Sequence, residues 1–191
     1  IDPTKVDNVE AGRSYFRHIP NERSKAALDT NLFHATTDFT RVNECDAIII
    51  CVPTPLDAHL IPDLHYIEET CRTIAPHLQP HTLVSLESTT WPGTTDEVLQ
   101  KILEDNGSLR VGKDLYLCFS PEREDPGNPS FGTKNIPKLV GGIDEISLEL
   151  STELYKLSID NVVPLSSPRV AEAAKLFENI FRSVNIALVN E

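Results

Sequence analysis

The chain has 191 residues, 40% of them apolar and 24% charged, with a formal net charge of -12. That composition fits a folded globular body with one large core, or one core and the start of another, and excludes disorder along the whole length. The acidic balance without a Lys/Arg cluster argues against a nucleic-acid surface, and no apolar run approaches the roughly 20 residues that cross a bilayer. Ile1-Asp2-Pro3 lacks a secretory pattern, so a cytoplasmic protein with no membrane partner is expected. Cys45, Cys51, Cys71 and Cys118 show no CxxC spacing and read as free structural thiols, with Cys51 and Cys118 inside apolar runs as small buried hydrophobes. No metal site is expected.

In chain order, Ile1-Asp2 reads as the end of a strand and residues 4–11 as a short helix stopped by Gly12. A second helix follows over residues 21–28, then a short strand near 32–35 and a helical stretch over 38–44. Residues 47–52 form a continuous β-branched run ended by Pro53, apolar on both faces as a central strand of a parallel sheet requires. Asp63 caps a helix to about Leu78, residues 82–86 are a strand, 93–103 a helix and 115–119 another apolar strand. Alternation of strand and helix at this spacing predicts a doubly wound α/β sheet. Residues 120–138 are rich in proline and glycine with little periodicity, which marks a long loop of the kind that carries function. A strand at Leu139-Val140, a helix over 145–157, a strand at Val162-Val163 and a long helix from Ser167-Pro168 to Glu191 complete the chain.

Ligands of open α/β sheets bind beyond the carboxyl ends of the strands, so the residues after each strand are the first candidates. These are Pro53-Thr54-Pro55, Glu87-Ser88-Thr89-Thr90, Ser120-Pro121-Glu122 with Arg123-Glu124-Asp125, and Pro164-Leu165-Ser166-Ser167. The two serines before the last helix read as caps. The others offer small hydroxyls and backbone NH groups that can approach phosphates and riboses without bulk. Glu122, directly after an apolar strand and beside Pro121, reads equally as a partly desolvated base and as a solvated loop acid. Lys175 and Asn179 are spaced i, i+4 and share one helix face, suited to an anion or a developing alkoxide, or simply to solvent.

The strings IICVPTPL (residues 49–56), ESTTWPGTT (87–95), FSPEREDPGN (119–128), NIPKLVGG (135–142) and AEAAKLFENIFRSVNIALVNE (171–191) resemble, in order and spacing, the UDP-glucose/GDP-mannose dehydrogenase family. SPEREDPGN together with AGRSYFRHIP (11–20) looks most like the bacterial UDP-N-acetylglucosamine 6-dehydrogenases. The resemblance implies NAD as cofactor and oxidation of the C6 hydroxyl of a UDP-sugar to the acid, in two hydride transfers through a cysteine thioester. It implies that Val52, Pro53, Thr54 and Ser88 lie along NAD, that Thr89 sits near the nicotinamide and orders a catalytic water, and that Lys5 contacts the adenosine side. Glu122 matches the general base of the thioester steps, Arg123 and Glu124 lie along the sugar, and Lys175 and Asn179 bind the substrate and stabilise the oxyanion. Pro126 stands where UDP-glucose members carry a second glutamate.

The resemblance further implies a partial Rossmann-like NAD domain over residues 1–167, lacking its first βα unit, and the start of a central dimerisation helix over 168–191. The pyrophosphate-binding glycine turn would precede Ile1, and the catalytic cysteine would follow Glu191, leaving the chain inactive alone and the intact protein a homo-oligomer. A non-catalytic nucleotide-binding module of the same fold and a hydroxyacid-type dehydrogenase are the alternatives, and UDP-glucose or UDP-N-acetylmannosamine are alternative substrates.

Overall fold

The structure is a computed structural model that describes residues 2–16, 19–59, 61–122 and 136–191. It divides into two compact units, Ile1–Arg41 and Val42–Glu191. In the first, helix α1 (Pro3–Glu10) begins where the Asp2 carboxylate accepts from the Thr4 amide and Pro3 occupies the first turn, and it ends at Gly12, whose φ of +69° suits glycine. Helix α2 (Asn21–Leu28) follows at the expected position. Residues 32–35 form no strand. An extended segment becomes a strand only when a neighbour supplies its ladder, and here the Ala35 amide donates to the Glu10 carboxylate instead. The stretch at Phe39–Glu44 is a 3-10 helix, not an α-helix.

The second unit holds a five-stranded sheet in the order β1 (Ala47–Ile50), β2 (Leu83–Leu86), β3 (Tyr116–Phe119), β4 (Lys138–Gly142), β5 (Val162–Leu165). Its centre is dry, with Val84, Leu86, Leu117, Phe119 and Val140 fully buried. Among the described residues β1, expected as a central strand, has a strand on one side only, and Ile49 is 46% exposed. An apolar run reports what covers the faces of a strand, not how many strands flank it.

Strands β1, β2 and β3 are parallel to one another, but β4 is antiparallel to β3 and β5 is parallel to β4. Parallel pairing requires a crossover, usually helical, and the sequence between β3 and β4 shows no helical periodicity, which accords with antiparallel pairing there. The reversal has a direct consequence for the site. Carrying the β3–β4 register of Cys118 opposite Gly142 forward brings Glu122 opposite Lys138, so the first residue of β4 lies at the carboxyl ends of β1, β2 and β3.

Helix α3 (His65–Ile74) buries Ile67, Cys71 and Ile74, its first amide is met by the Asp63 carboxylate at 2.8 Å, and a 3-10 turn, Ala75–His77, takes over where Pro76 ends the α-helix. The helix expected at 93–103 begins as a π-helical stretch, Thr94–Leu99, before settling into α4 (Gln100–Asn106). Helix α5 (Glu145–Lys156) is capped by the Asp144 carboxylate, and α6 (Pro168–Asn190) by the Ser167 hydroxyl with Pro168 in its first turn. A side chain on Gly141 would come within 2.3 Å of the Ser167 carbonyl oxygen, so the glycine lets the start of α6 lie directly on β4.

One buried carboxylate sets the rotation of α6. Glu172 is fully buried; its Oε2 accepts from the Gly93 amide at 2.7 Å, and its Oε1 accepts from the Thr95 amide at 2.9 Å and the Thr95 hydroxyl at 2.7 Å. These are orphan amides at the start of the π-helical stretch, where a negative charge is favoured. Burial pushes the Glu172 carboxyl above its ordinary value against the pull of the three hydrogen bonds. The folded state therefore holds the proton at higher pH than the unfolded chain does. The stability from this group is fullest below the ordinary glutamate range and declines as pH rises through the raised value. Glu172→Ala leaves three buried donors unmet and is expected to cost at least about 2 kcal/mol. In urea titrations, the advantage of wild type over Glu172→Gln should shrink as pH rises from the ordinary glutamate range through the raised value; an unchanged difference would contradict the upward shift.

Candidate active site

A cavity of about 430 Å3 opens beyond the carboxyl ends of β1, β2 and β3, walled by Cys51, Val52, Pro53, Thr54, Glu87, Ser88, Thr89 and Glu122. It exists because β1 and β2 stop at Ile50 and Leu86 and their continuations separate. The two turns are tied by Ser88, whose Oγ accepts from the Val52 amide at 2.9 Å and donates to the Val52 carbonyl at 2.8 Å. Ser88 is buried and shapes the Val52-Pro53-Thr54 turn, while Thr89 is exposed.

Six residues singled out in the sequence, Val52, Pro53, Thr54, Ser88, Thr89 and Glu122, thus share one cavity. The Glu122 side chain is 47% exposed. From α6, the Lys175 ammonium donates to the Glu122 backbone carbonyl, which brings a cation to the same loop. Asn179 stands one turn further along α6 and is half-buried. Lys5 belongs to the first unit, where its ammonium lies 5.5 Å from the Tyr15 ring centroid and lines a separate cavity with Asp2, Val6, Val9 and Ala35. Arg123 and Glu124 fall outside the described residues.

Glu87, from the strand-end turn after β2, and Lys138, which the sequence reading of the site did not single out, meet inside it. Glu87 reaches into the cavity wall with its side chain only 12% exposed, and Lys138, 8% exposed, lies 3.0 Å from Glu87 Oε1 and 3.5 Å from Glu122 Oε2. Tyr155 on α5 donates to the same Glu87 oxygen at 2.7 Å, shares a 2.7 Å hydrogen bond with Ser85, and presents its ring 4.9 Å from the Lys138 ammonium. Burial, with the Glu87 carboxylate next, drives the Tyr155 phenol strongly upward, so it stays protonated and remains a donor.

Cys51 corrects the reading of its apolar run. It lies past the end of β1 and is exposed in the cavity, although its thiol donates to Glu87 Oε2 at 3.6 Å. Partial burial, then the Glu87 charge, pushes the thiol up to about 11, which leaves almost no thiolate near neutrality. Burial likewise lifts Cys71 to about 12 and Cys118 to about 11. Cys45 precedes β1 and so stands at the other end of the sheet from the cavity.

The cavity thus lies at the strand ends of a doubly wound α/β sheet, between β1 and β2, with the Glu122 carboxylate in its wall and a helix-borne lysine on the Glu122 carbonyl. Residues 1–159 match the UDP-glucose/GDP-mannose dehydrogenase family, NAD binding domain. The chain belongs to that family. It is 37% identical over 155 residues to the UDP-N-acetyl-D-mannosamine dehydrogenase of Methanocaldococcus jannaschii, covering 80% of this chain and 35% of the relative. It is also 37% identical over 157 residues to the UDP-N-acetyl-D-glucosamine 6-dehydrogenase of Salmonella typhi, covering 82% and 37%. Among solved structures, UDP-D-ManNAc dehydrogenase from Pyrococcus horikoshii superposes with a TM-score of 0.92 at 32% identity, over 100% of this chain and 45% of that one. A ternary complex of GDP-mannose dehydrogenase from Pseudomonas aeruginosa gives 0.90 at 26%, with the same coverage. The chain spans less than half the length of these relatives. The matched domain binds NAD, and the cleft fits that cofactor: small and proline-held residues wall it at the strand ends, where dinucleotides enter such sheets. Among the described residues no helix is long and apolar enough to cross a membrane.

Proposed function

We propose that this chain forms the NAD side of a cytoplasmic UDP-sugar 6-dehydrogenase that converts the C6 hydroxyl of UDP-N-acetylglucosamine to the acid, through a thioester on a cysteine supplied from outside these residues. The observation that carries this reading is the Lys175 ammonium on the Glu122 carbonyl, beside the cleft that Thr89 and Thr54 wall. Both curated relatives described above act on N-acetylated UDP-hexosamines by name, which favours that sugar class.

Val52, Pro53, Thr54 and Ser88 would hold NAD along the cleft, with Thr89 near the nicotinamide; Lys5 is proposed to contact the adenosine side of the cofactor. When bound, NAD supplies the acceptor for hydride in each of the two oxidations. Lys175 and Asn179 would steady the oxyanion at C6, work in which one preorganised donor is worth a factor of roughly 100 to 1000. Arg123 and Glu124 would lie along the sugar. In the last step Glu122 would take a proton from water as its oxygen adds to the thioester carbonyl; the C–S bond then breaks, the acid is released, and the thiolate regains a proton. Cys71 and Cys118 are buried, Cys45 stands at the other end of the sheet, and Cys51, which does reach the cavity, gives its proton to a hydrogen bond with Glu87, which are the reasons to look for that thiol elsewhere.

In the enzyme that carries this chain, Glu122→Gln is expected to retain part of the first oxidation and to slow hydrolysis by about 100-fold to 10,000-fold, the usual cost of losing a general base. Mass spectrometry after acid quench, with UDP-N-acetylglucosamine and NAD, should then find the sugar acylated on a cysteine. Wild-type turnover without adduct would rule the role out, and the same assay with UDP-N-acetylmannosamine separates the two epimers.

Residues 168–191 would open a dimerisation element. Phe177, Ile180, Phe181, Val184 and Leu188 of α6 are exposed at helical spacing, an apolar stripe that a second subunit would cover. Sedimentation should report a dimer or larger for the intact enzyme and a smaller species for Phe181→Glu; a wild-type monomer at micromolar concentration would contradict the assignment.

A further inference from the structure

We infer that Lys138 is a positioning residue for Glu122, and that Glu87 and Tyr155 are its anchor. The inference rests on the proposed role of Glu122 in thioester hydrolysis. The reversed strand β4 delivers Lys138 to the ligand end of the sheet, where its ammonium stands between two carboxylates, 3.0 Å from Glu87 Oε1 and 3.5 Å from Glu122 Oε2. The two partners differ in kind. Glu87 is nearly buried and also receives the Tyr155 hydroxyl and the Cys51 thiol, so it is fixed. The Glu122 side chain is half-exposed at the cavity wall.

A lysine held on its inner side by a fixed carboxylate and flanked by an aromatic ring has few other places to put its charge. Its remaining NH bonds define where the Glu122 carboxylate rests. Lys175 holds the backbone of the same residue by the carbonyl, so Glu122 is gripped twice, main chain from α6 and side chain from β4. Displacing a reacting group by about 1 Å can cost on the order of 100-fold, which is the scale of effect that Lys138 can exert without touching substrate.

A merely structural lysine would serve only to neutralise Glu87, and paired substitution separates the two roles. Lys138→Met alone strands a buried carboxylate and risks unfolding; Glu87→Gln with Lys138→Met removes both charges and keeps the shapes. In the intact enzyme the double variant should melt near wild type, yet hydrolyse the thioester about 10-fold to 100-fold more slowly and accumulate acylated cysteine under quench. Adding Glu122→Gln to it should slow hydrolysis little beyond Glu122→Gln alone, because one residue acts through the other. A folded double variant with wild-type hydrolysis, or effects that multiply independently in the triple variant, overturns the inference. Should the double variant not fold, Lys138→Arg decides: it keeps a cation for both carboxylates and should retain hydrolysis within about 10-fold, whereas a folded Lys138→Arg enzyme as slow as Glu122→Gln overturns it. If Glu122→Gln itself hydrolyses normally, the role of Glu122 fails and Lys138 falls with it; if Glu122→Gln is slow and the double variant is not, only Lys138 falls.

Discussion

The carboxylate of Glu172, closed over the amides of Gly93 and Thr95, is the contact on which the geometry of the site depends. A helix lying on a sheet can slide and rotate at little cost when only apolar surface joins them, because burial has no direction. Three hydrogen bonds to one buried carboxylate do have direction, and they fix both the depth and the rotation of α6. Arg169, one turn earlier, pairs with Asp96 and Glu97 of the same π-helical stretch. From that fixed point Lys175 follows three residues later, within reach of the Glu122 carbonyl, and Asn179 follows on the same face. The glycine at 141 completes the arrangement by letting the first turn of α6 rest on β4.

The second constraint is the reversed direction of β4. In an all-parallel sheet the residues that begin a strand lie at the opposite end from the ligand. Here the first residue of β4 is a lysine among carboxylates at the ligand end, so the site gains a buried cation from the start of a strand. A buried pair of this kind is costly to desolvate and stabilises little by itself. What it adds is definition: with Tyr155 and Ser85 behind it, Glu87 cannot wander, and Lys138 inherits that rigidity.

Much of this was legible from residue order. The β-branched run before Pro53, the alternation of strands and helices, the capping residues Asp63 and Ser167 and the long final helix all follow from local physics, and the strand-end rule led to Pro53, Thr54, Glu87, Ser88, Thr89 and Glu122, which do share a cavity. What was not legible depends on pairing. The direction of β4 is a matter of pairing that no periodicity reveals, and with it went Lys138. Glu172 and Tyr155 look like ordinary helix residues until their partners, 77 or more and 68 positions away, come into view. Cys51 was misjudged because the strand ends one residue before it, and a one-residue difference moves a thiol from core to cleft.

The fold, the NAD domain and the family are fixed by these observations, and the proposed reaction turns on Glu122 as the base for thioester hydrolysis. The most direct measurement is the ratio of NADH formed to UDP-N-acetylglucosamine consumed by the intact enzyme, with the product identified by mass. Oxidation carried through a thioester and its hydrolysis yields two NADH for each sugar and releases only the uronic acid. One NADH for each sugar with the aldehyde set free, or no reaction with any UDP-hexosamine, would contradict it.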